Sequence, residues 1–330
     1  MNLSFDIDKK LLSEYLVSQK LISPGDRVLQ LTKPGEGNMN FVARITTSKT
    51  TFILKQANPF VQKYPQIAAP VDRVLVESQF YQTVQRIPTS AKFVPSLLGL
   101  DPFSHIIAIE DLGEGSDFTF LYQKGSLLSD DHLNSLLAFL DLLHYGVSAD
   151  LLKAYPDNMK LRMLNHEHLF IYPFLVENGF DLNTITPGLQ EISMLYKNDA
   201  DLKKTLTGLG QMYLSSEEEA LLHGDYYPGS WLKTSDGIKV IDPEFSYVGK
   251  REFDLAILIA HLKMMQAPGH QVETVLSHFK GKQLDWDLAH QFAGVEILRR
   301  IIGLAQLPLD LTLPEKEGLL QEAMRFVKIK

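Results

Sequence analysis

Cysteine is absent from the 330 residues. The chain can therefore form no disulfide, thiolate metal site or cysteine nucleophile. Although 45% of the residues are hydrophobic, no apolar run is long enough to span a bilayer, so a membrane protein is not expected. Positive charge is scarce: 32 Lys and Arg against 40 Asp and Glu leave a net charge of −8. A broad nucleic-acid-binding surface is therefore not expected. The opening MNLSFDIDKK is too charged for a signal peptide, which points to the cytosol. There is no Walker-type lysine loop and no G-x-S-x-G elbow, and no triad is legible around Ser230, so a hydrolase is not expected. No internal repeat occurs, and no interface signature is legible, which leaves an oligomer open.

The chain is long for a single core and suits two lobes. Residues 8–21 have helical periodicity, and RVLQLTKPGEGNMNFVARITTSKTTFILKQ reads as three strands with turns at PGEGN and TSKT. A helix is expected from about Pro70 to Gln85, then strands at SLLGLD and HIIAIEDL. After GEGS, helical patterns dominate except around HGD and DPE, where WLKTSDGIKVID reads as a hairpin turning at Asp236–Gly237. A boundary near Gly113 separates a strand-rich lobe, 1–112, from a larger and mainly helical one, 113–330.

Three acidic residues, Asp225, Asp242 and Glu244, stand inside LLHGDYYPGSWL and VIDPEF, segments that otherwise read as buried. A buried carboxylate needs a cation or protein partners. Phosphoryl transfer from ATP calls for a phosphate cradle, a lysine on the phosphates, metal-binding carboxylates and a group that orients the nucleophile. Candidates for all four occur in order. The cradle is GEGNMNFV, with Gly35 and Gly37 between strands, a fragment that reads equally as a hairpin turn. Lys55 closes an apolar strand, and Glu77 lies on one helical stripe with Val74, Tyr81 and Val84, which makes an inward ion pair or two solvated surface residues. His223-Gly224-Asp225 follows the kinase pattern H-R-D-x-x-x-x-N, with Ser230 at the asparagine position, and Asp242 follows 17 residues later. Hard oxygen ligands of this kind suit Mg²⁺, and a buried acidic network paired to Arg or Lys is the other reading.

HGDYYPGSWL…VIDPEFSYVGKREFDLA, together with GEGNMNFV, ILKQANPFV and RRIIGLA, resembles the aminoglycoside phosphotransferase and choline kinase superfamily, and within it the methylthioribose kinase branch. The resemblance covers roughly residues 30 to 310. It implies an α+β, protein-kinase-like two-lobed fold: a small β-rich N-terminal lobe that binds ATP and a larger mainly helical lobe for catalysis and substrate. It implies Asp225 as catalytic base or orienting carboxylate, Asp242, Glu244 and Ser230 around magnesium, and Lys55 on the phosphates paired to Glu77. The stretch Asn38–Asn40 would cover the phosphates, and the backbone at Glu110 and Leu112 would receive adenine. His223 and Asp254 would brace the catalytic loop.

Arg299 and Arg300 would lie near the acceptor, a small molecule with a hydroxyl. Neighbouring helical residues point about 100° apart, so the two are not expected to share a face. Where this branch usually has Leu-His-Thr after HGD, the chain has Tyr226-Tyr227-Pro228, with the tyrosines bordering the acceptor pocket. That departure keeps a methylthioribose-like sugar, an aminoglycoside, choline or another sugar open as acceptors, and Ser230 keeps a nucleotide-binding pseudokinase open. His166 and His168 in NHEHLF are two apart, which would suit a transition metal on one face of a strand, but no third ligand is legible.

Overall fold

The computed structural model describes residues 1–35, 39–87, 89–215 and 219–329. Gly37 and Asn38 of the expected cradle lie outside them. Helix α1 (Lys9–Ser18) leads into strands β1 (Val28–Thr32), β2 (Phe41–Thr47) and β3 (Thr51–Gln56). A short hairpin of β4 (Phe60–Val61) and β5 (Tyr64–Ala68), which the sequence reading did not foresee, precedes α2 (Arg73–Val84). Strands β6 (Leu97–Asp101) and β7 (Ile106–Glu110) complete an antiparallel sheet of order β1-β2-β3-β7-β6.

The two-residue alternation of strands gives each face of this sheet its own partner. Ala43, Ile45, Phe52, Leu54, Ile106 and Ala108 turn to one side and pack with Leu12 and Leu16 of α1. Ile107 and Ile109 turn to the other, where Val74, Phe80, Tyr81 and Val84 of α2 meet them in the main core. Lys55 follows Leu54 and so points to this second side, into the space between sheet and helix. Its register partner is Ile107.

Beyond β7, strand β8 (Ser116–Asp117) already belongs to the other lobe, where it pairs with β10. Helices α3 (Asp130–Tyr145), α4 (Ala149–Lys153), α5 (Met159–His166), α6 (Leu189–Lys197) and α7 (Ala200–Leu214) follow. Next come β9 (Ala220–Leu222), β10 (Trp231–Thr234), β11 (Gly237–Val240) and β12 (Tyr247–Gly249), then α8 (Glu252–Met264), α9 (Gly269–His278), α10 (Trp286–Ile302) and α11 (Leu313–Val327). A small β-rich lobe thus precedes a larger helical one. In the expected hairpin Thr234 pairs with Gly237, so the turn is Ser235–Asp236, one residue earlier than expected. His166 ends α5 and His168 lies in the helical turns that continue it, not on a strand. Two residues apart on a helix is about 200°, so the two imidazoles diverge.

Two short strands position the chemistry. β9 pairs antiparallel with β12, with Leu222 opposite Tyr247, which sets the HGD and DPEF loops side by side. The fit is tight at Gly224, whose φ is +82° and where a Cβ would stand 2.2 Å from the carbonyl oxygen of Phe245. Gly224→Ala therefore imposes both a left-handed backbone and a clash with a main-chain atom. Urea denaturation should show a loss of at least about 2 kcal/mol, and an unchanged midpoint would contradict this packing.

Candidate active site

Lys55 is 3% exposed. Its Nζ lies 2.6 Å from Glu77 Oε1 and is also bonded to Asp242 Oδ1. Burial works against the ammonium charge, but Asp242, Glu77 and Glu244 outweigh it and hold the Lys55 pKa above its ordinary value. The expected pair with Glu77 is present, and it joins the sheet to α2. Asp242 brings in the other lobe. Its backbone is left-handed, with φ +61°, and its side chain is 48% exposed toward the cleft.

That cleft is a cavity of about 360 Å³ lined by Gly35, Ile53, Lys55, Glu110, Leu112 and Asp242, among others. Glu110 and Leu112 stand at the connection between the lobes. The Glu110 amide donates to Ser96 O at 2.9 Å. Arg44 ties the following residues down, with Asp111 at 2.9 Å and the Gly113 carbonyl at 2.6 Å.

Glu244 and Asn40 are drawn away from the cleft into an ion-pair network. Glu244 Oε2 accepts from Asn40 Nδ2 at 3.0 Å and from Arg73 Nε at 3.2 Å. Arg73, fully buried, also donates to Asn40 Oδ1 and to the carbonyls of Met39, Asn58 and Pro70. Burial pushes the Glu244 carboxyl up to about 7, with Lys55 and Arg73 opposing. The sequence reading missed Arg73; a lone arginine in the apolar PVDRVLV was its only signal.

The Asp225 loop is braced as expected. Asp254, fully buried, accepts from the amides of His223 at 2.8 Å and Gly224 at 2.9 Å. His223 Nδ1 accepts from the Asp225 amide at 3.3 Å, so its Nε2 donates to Ile241 O at 3.0 Å. Ser230 spends its hydroxyl proton on the Asp225 carbonyl at 2.8 Å. The Asp225 carboxylate is 22% exposed, with Arg300 Nη2 at 3.1 Å and Arg299 Nη2 at 3.5 Å. Burial raises its pKa, and Arg300 and Arg299 oppose the rise.

Both arginines thus reach one carboxylate, contrary to the expectation that they could not share a face. Long side chains converge where helix geometry alone would splay them. Behind them Glu296, fully buried, binds both. The residue was overlooked, although a glutamate three and four residues before an arginine pair in an apolar helix was a usable signal.

The two tyrosines part company. Tyr226 is fully buried, donates to Leu136 O at 3.0 Å and stacks on Phe139, so it is core and not a substrate residue. Tyr227 lies under the Arg300 guanidinium at 4.8 Å and lines a second cavity of about 160 Å³. Asp225, His168, Arg299, Arg300 and Leu304 line it too, and the β4–β5 hairpin roofs it with Tyr64 and Ile67. Among the described residues no three His, Asp or Glu side chains gather as a ready metal cluster, so His166 and His168 have no metal partners there. Nor is any described helix long and apolar enough to cross a membrane.

The Asp225 loop lines both cavities, with Asp225 and Tyr227 in one and Gly229 in the other. Residues 183–290 match the model of the phosphotransferase enzyme family. The methylthioribose kinase of Exiguobacterium sibiricum is 27% identical over 328 residues, covering 85% of this chain and 81% of the relative. The matched segment is similar to a phosphotransferase domain, and the relative aligns with most of the chain. The chain is a small-molecule kinase whose acceptor is a hydroxyl. Two solved structures share this phosphotransferase's protein-kinase-like fold. A spectinomycin phosphotransferase in complex with ADP and spectinomycin superposes with a TM-score of 0.55 at 13% identity, over 98% of both chains. A choline kinase from Streptococcus pneumoniae does so at 0.52 and 16% identity, over 96% and 98%.

The buried imidazole behind the arginines carries a pH prediction. Burial drives the His261 pKa from 6.5 down to about 4, against the pull of Glu296. A group depressed on folding stabilises above its unfolded value and loses that contribution as pH falls toward its folded one. Between pH 6.5 and 4 the wild type should therefore lose about 3 kcal/mol more than His261→Gln, measured by urea denaturation at several pH values. Parallel curves would contradict a neutral, buried His261.

Proposed function

We propose that this phosphotransferase transfers the γ-phosphoryl of ATP, with magnesium, to a hydroxyl of a methylthioribose-like sugar. The cavity of about 360 Å³ is the nucleotide side, with adenine against the backbone at Glu110 and Leu112 and phosphates beside Gly35 and Lys55. The cavity holding Asp225 is the acceptor side. The lysine is already fixed by two carboxylates, so a phosphate oxygen meets a preset cation at small entropic cost.

Asp242 fits a magnesium ligand: a hard oxygen donor, half exposed and facing the nucleotide cavity. Glu244 and Ser230 do not fit that role as placed, because Glu244 binds Arg73 and Asn40, and Ser230 donates to Asp225 O. We assign them, with Asn40, to holding the loops. When bound, the metal supplies charge neutralisation at the phosphates. Asp225 accepts the proton of the acceptor hydroxyl, and Arg299 and Arg300 keep it oriented.

One observation carries the choice of acceptor. Among the described residues Asp225 is the only acidic one lining the acceptor cavity, and two guanidiniums already balance it; Lys63 adds a third cation. A cationic acceptor such as choline or an aminoglycoside would meet like charge without a free carboxylate. A neutral polyol with an apolar end suits the polar floor and the Ile67, Leu304 and Leu307 walls. The relative named methylthioribose kinase supports the same reading.

With Mg²⁺-ATP, kcat/KM for methylthioribose should exceed that for choline or spectinomycin by at least about 100-fold. Asp225→Asn should lower kcat by about 10²- to 10⁴-fold while the ATP KM stays nearly constant. Equal use of the cationic acceptors would overturn the assignment, as would full activity of Asp225→Asn.

A further inference from the structure

Glu296 is fully buried in α10, one turn before the arginine pair. Its Oε1 accepts from Arg300 Nε at 2.7 Å and Arg299 Nη2 at 3.1 Å, while Oε2 binds Arg299 Nε. Both guanidiniums are thus gripped along their ε edges, which leaves an η nitrogen of each on Asp225. The grip has its own support. Tyr122 donates to His261 Nδ1 at 2.6 Å, so His261 Nε2 carries the proton and donates to Glu296 Oε1 at 3.1 Å. Tyr227 is fastened to the same group, with its ring 5.3 Å from the His261 ring and beneath Arg300.

The charges close locally: two guanidiniums against the carboxylates of Glu296 and Asp225. Without Glu296, two neighbouring cations, each 6% exposed, would share one carboxylate and repel each other. Their helical directions differ by about 100°, so repulsion would part them and move both away from Asp225.

We propose that Glu296 is a positioning residue for the acceptor half of the reaction, converging Arg299 and Arg300 on Asp225 and, through Arg300, setting the Tyr227 ring as a wall of the acceptor cavity. This rests on the reading of that cavity as the acceptor site.

Glu296→Gln tests it, because the amide keeps the shape but removes the charge and turns a donor toward the arginines. Two measurements separate this idea from the acceptor's identity. The first needs no acceptor: the Nε–H resonances of Arg299 and Arg300 in ¹⁵N NMR, assigned by single Arg→Lys variants, should exchange slowly in the wild type. They should exchange faster in Glu296→Gln. The second is kinetic: kcat/KM for methylthioribose should fall by about 100-fold, with the ATP KM within about twofold of wild type. Glu296→Asp, which keeps the charge but retracts it by one methylene, should fall between the two and serves if the glutamine variant does not fold.

Unchanged Nε–H protection would overturn the proposal. So would an equal rise in the ATP KM, which marks general damage, or an unaltered acceptor kcat/KM. If the wild type ignores methylthioribose, the substrate reading falls, and the NMR comparison still decides whether Glu296 holds the pair.

Discussion

The buried ammonium of Lys55 is the interaction around which the two lobes are arranged. A lysine this deep needs compensating charge, and it takes one carboxylate from each side of the cleft: Glu77 from α2 and Asp242 from the DPEF loop. Glu77 must then face inward on its helix, and Asp242 must adopt its left-handed backbone. β3, α2 and the DPEF loop cannot move independently while that charge is buried. Asp242 alone of the three is half exposed, so it is the member free to trade Lys55 for another cation.

The same logic recurs nearby with different residues. Arg73 from the small lobe pairs with Glu244 from the large one, with Asn40 bridging them, so the base of the glycine-loop segment is tied to the DPEF loop. On the acceptor side the polarity is reversed: Glu296 is the buried anion and the arginines are the cations that open onto the cavity. Between the two clusters runs the Asp225 loop, its backbone held by hydrogen bonds to Asp254 and the His223 ring. Its carboxylate is shared with the second cluster through Arg300 and Arg299, so the loop is held at its backbone by one set of partners and at its side chain by another.

Much of this was legible in the order of residues. The apolar strand ending at Lys55 and the helical stripe through Glu77 left an inward pair and two solvated residues both open, and only the family resemblance pointed to the pair. The HGD and DPE loops stood out because charge interrupts apolar runs. What stayed hidden depended on long-range geometry. No local pattern tells that Glu244 faces Arg73 and not a metal, or that Tyr226 turns into the core while Tyr227 turns into the cavity. The convergence of Arg299 and Arg300 was misjudged because a rule for helix directions describes Cβ positions, whereas the charged ends of long side chains go where a counter-charge draws them. The β4–β5 hairpin is two short strands with little periodicity to read. For His166 and His168 a two-residue spacing means opposite things on a strand and on a helix, and the chain is helical there.

Under the proposed function, Asp242 exchanges its bond to Lys55 for a metal ion when nucleotide enters. Calorimetric titration of ADP into the wild type and into Asp242→Asn, each across a range of Mg²⁺ concentrations, addresses it directly. The account predicts that Mg²⁺ tightens ADP binding to the wild type and that this dependence is lost in Asp242→Asn, while metal-free ADP affinity differs little between the two proteins. The same Mg²⁺ dependence in both would contradict it.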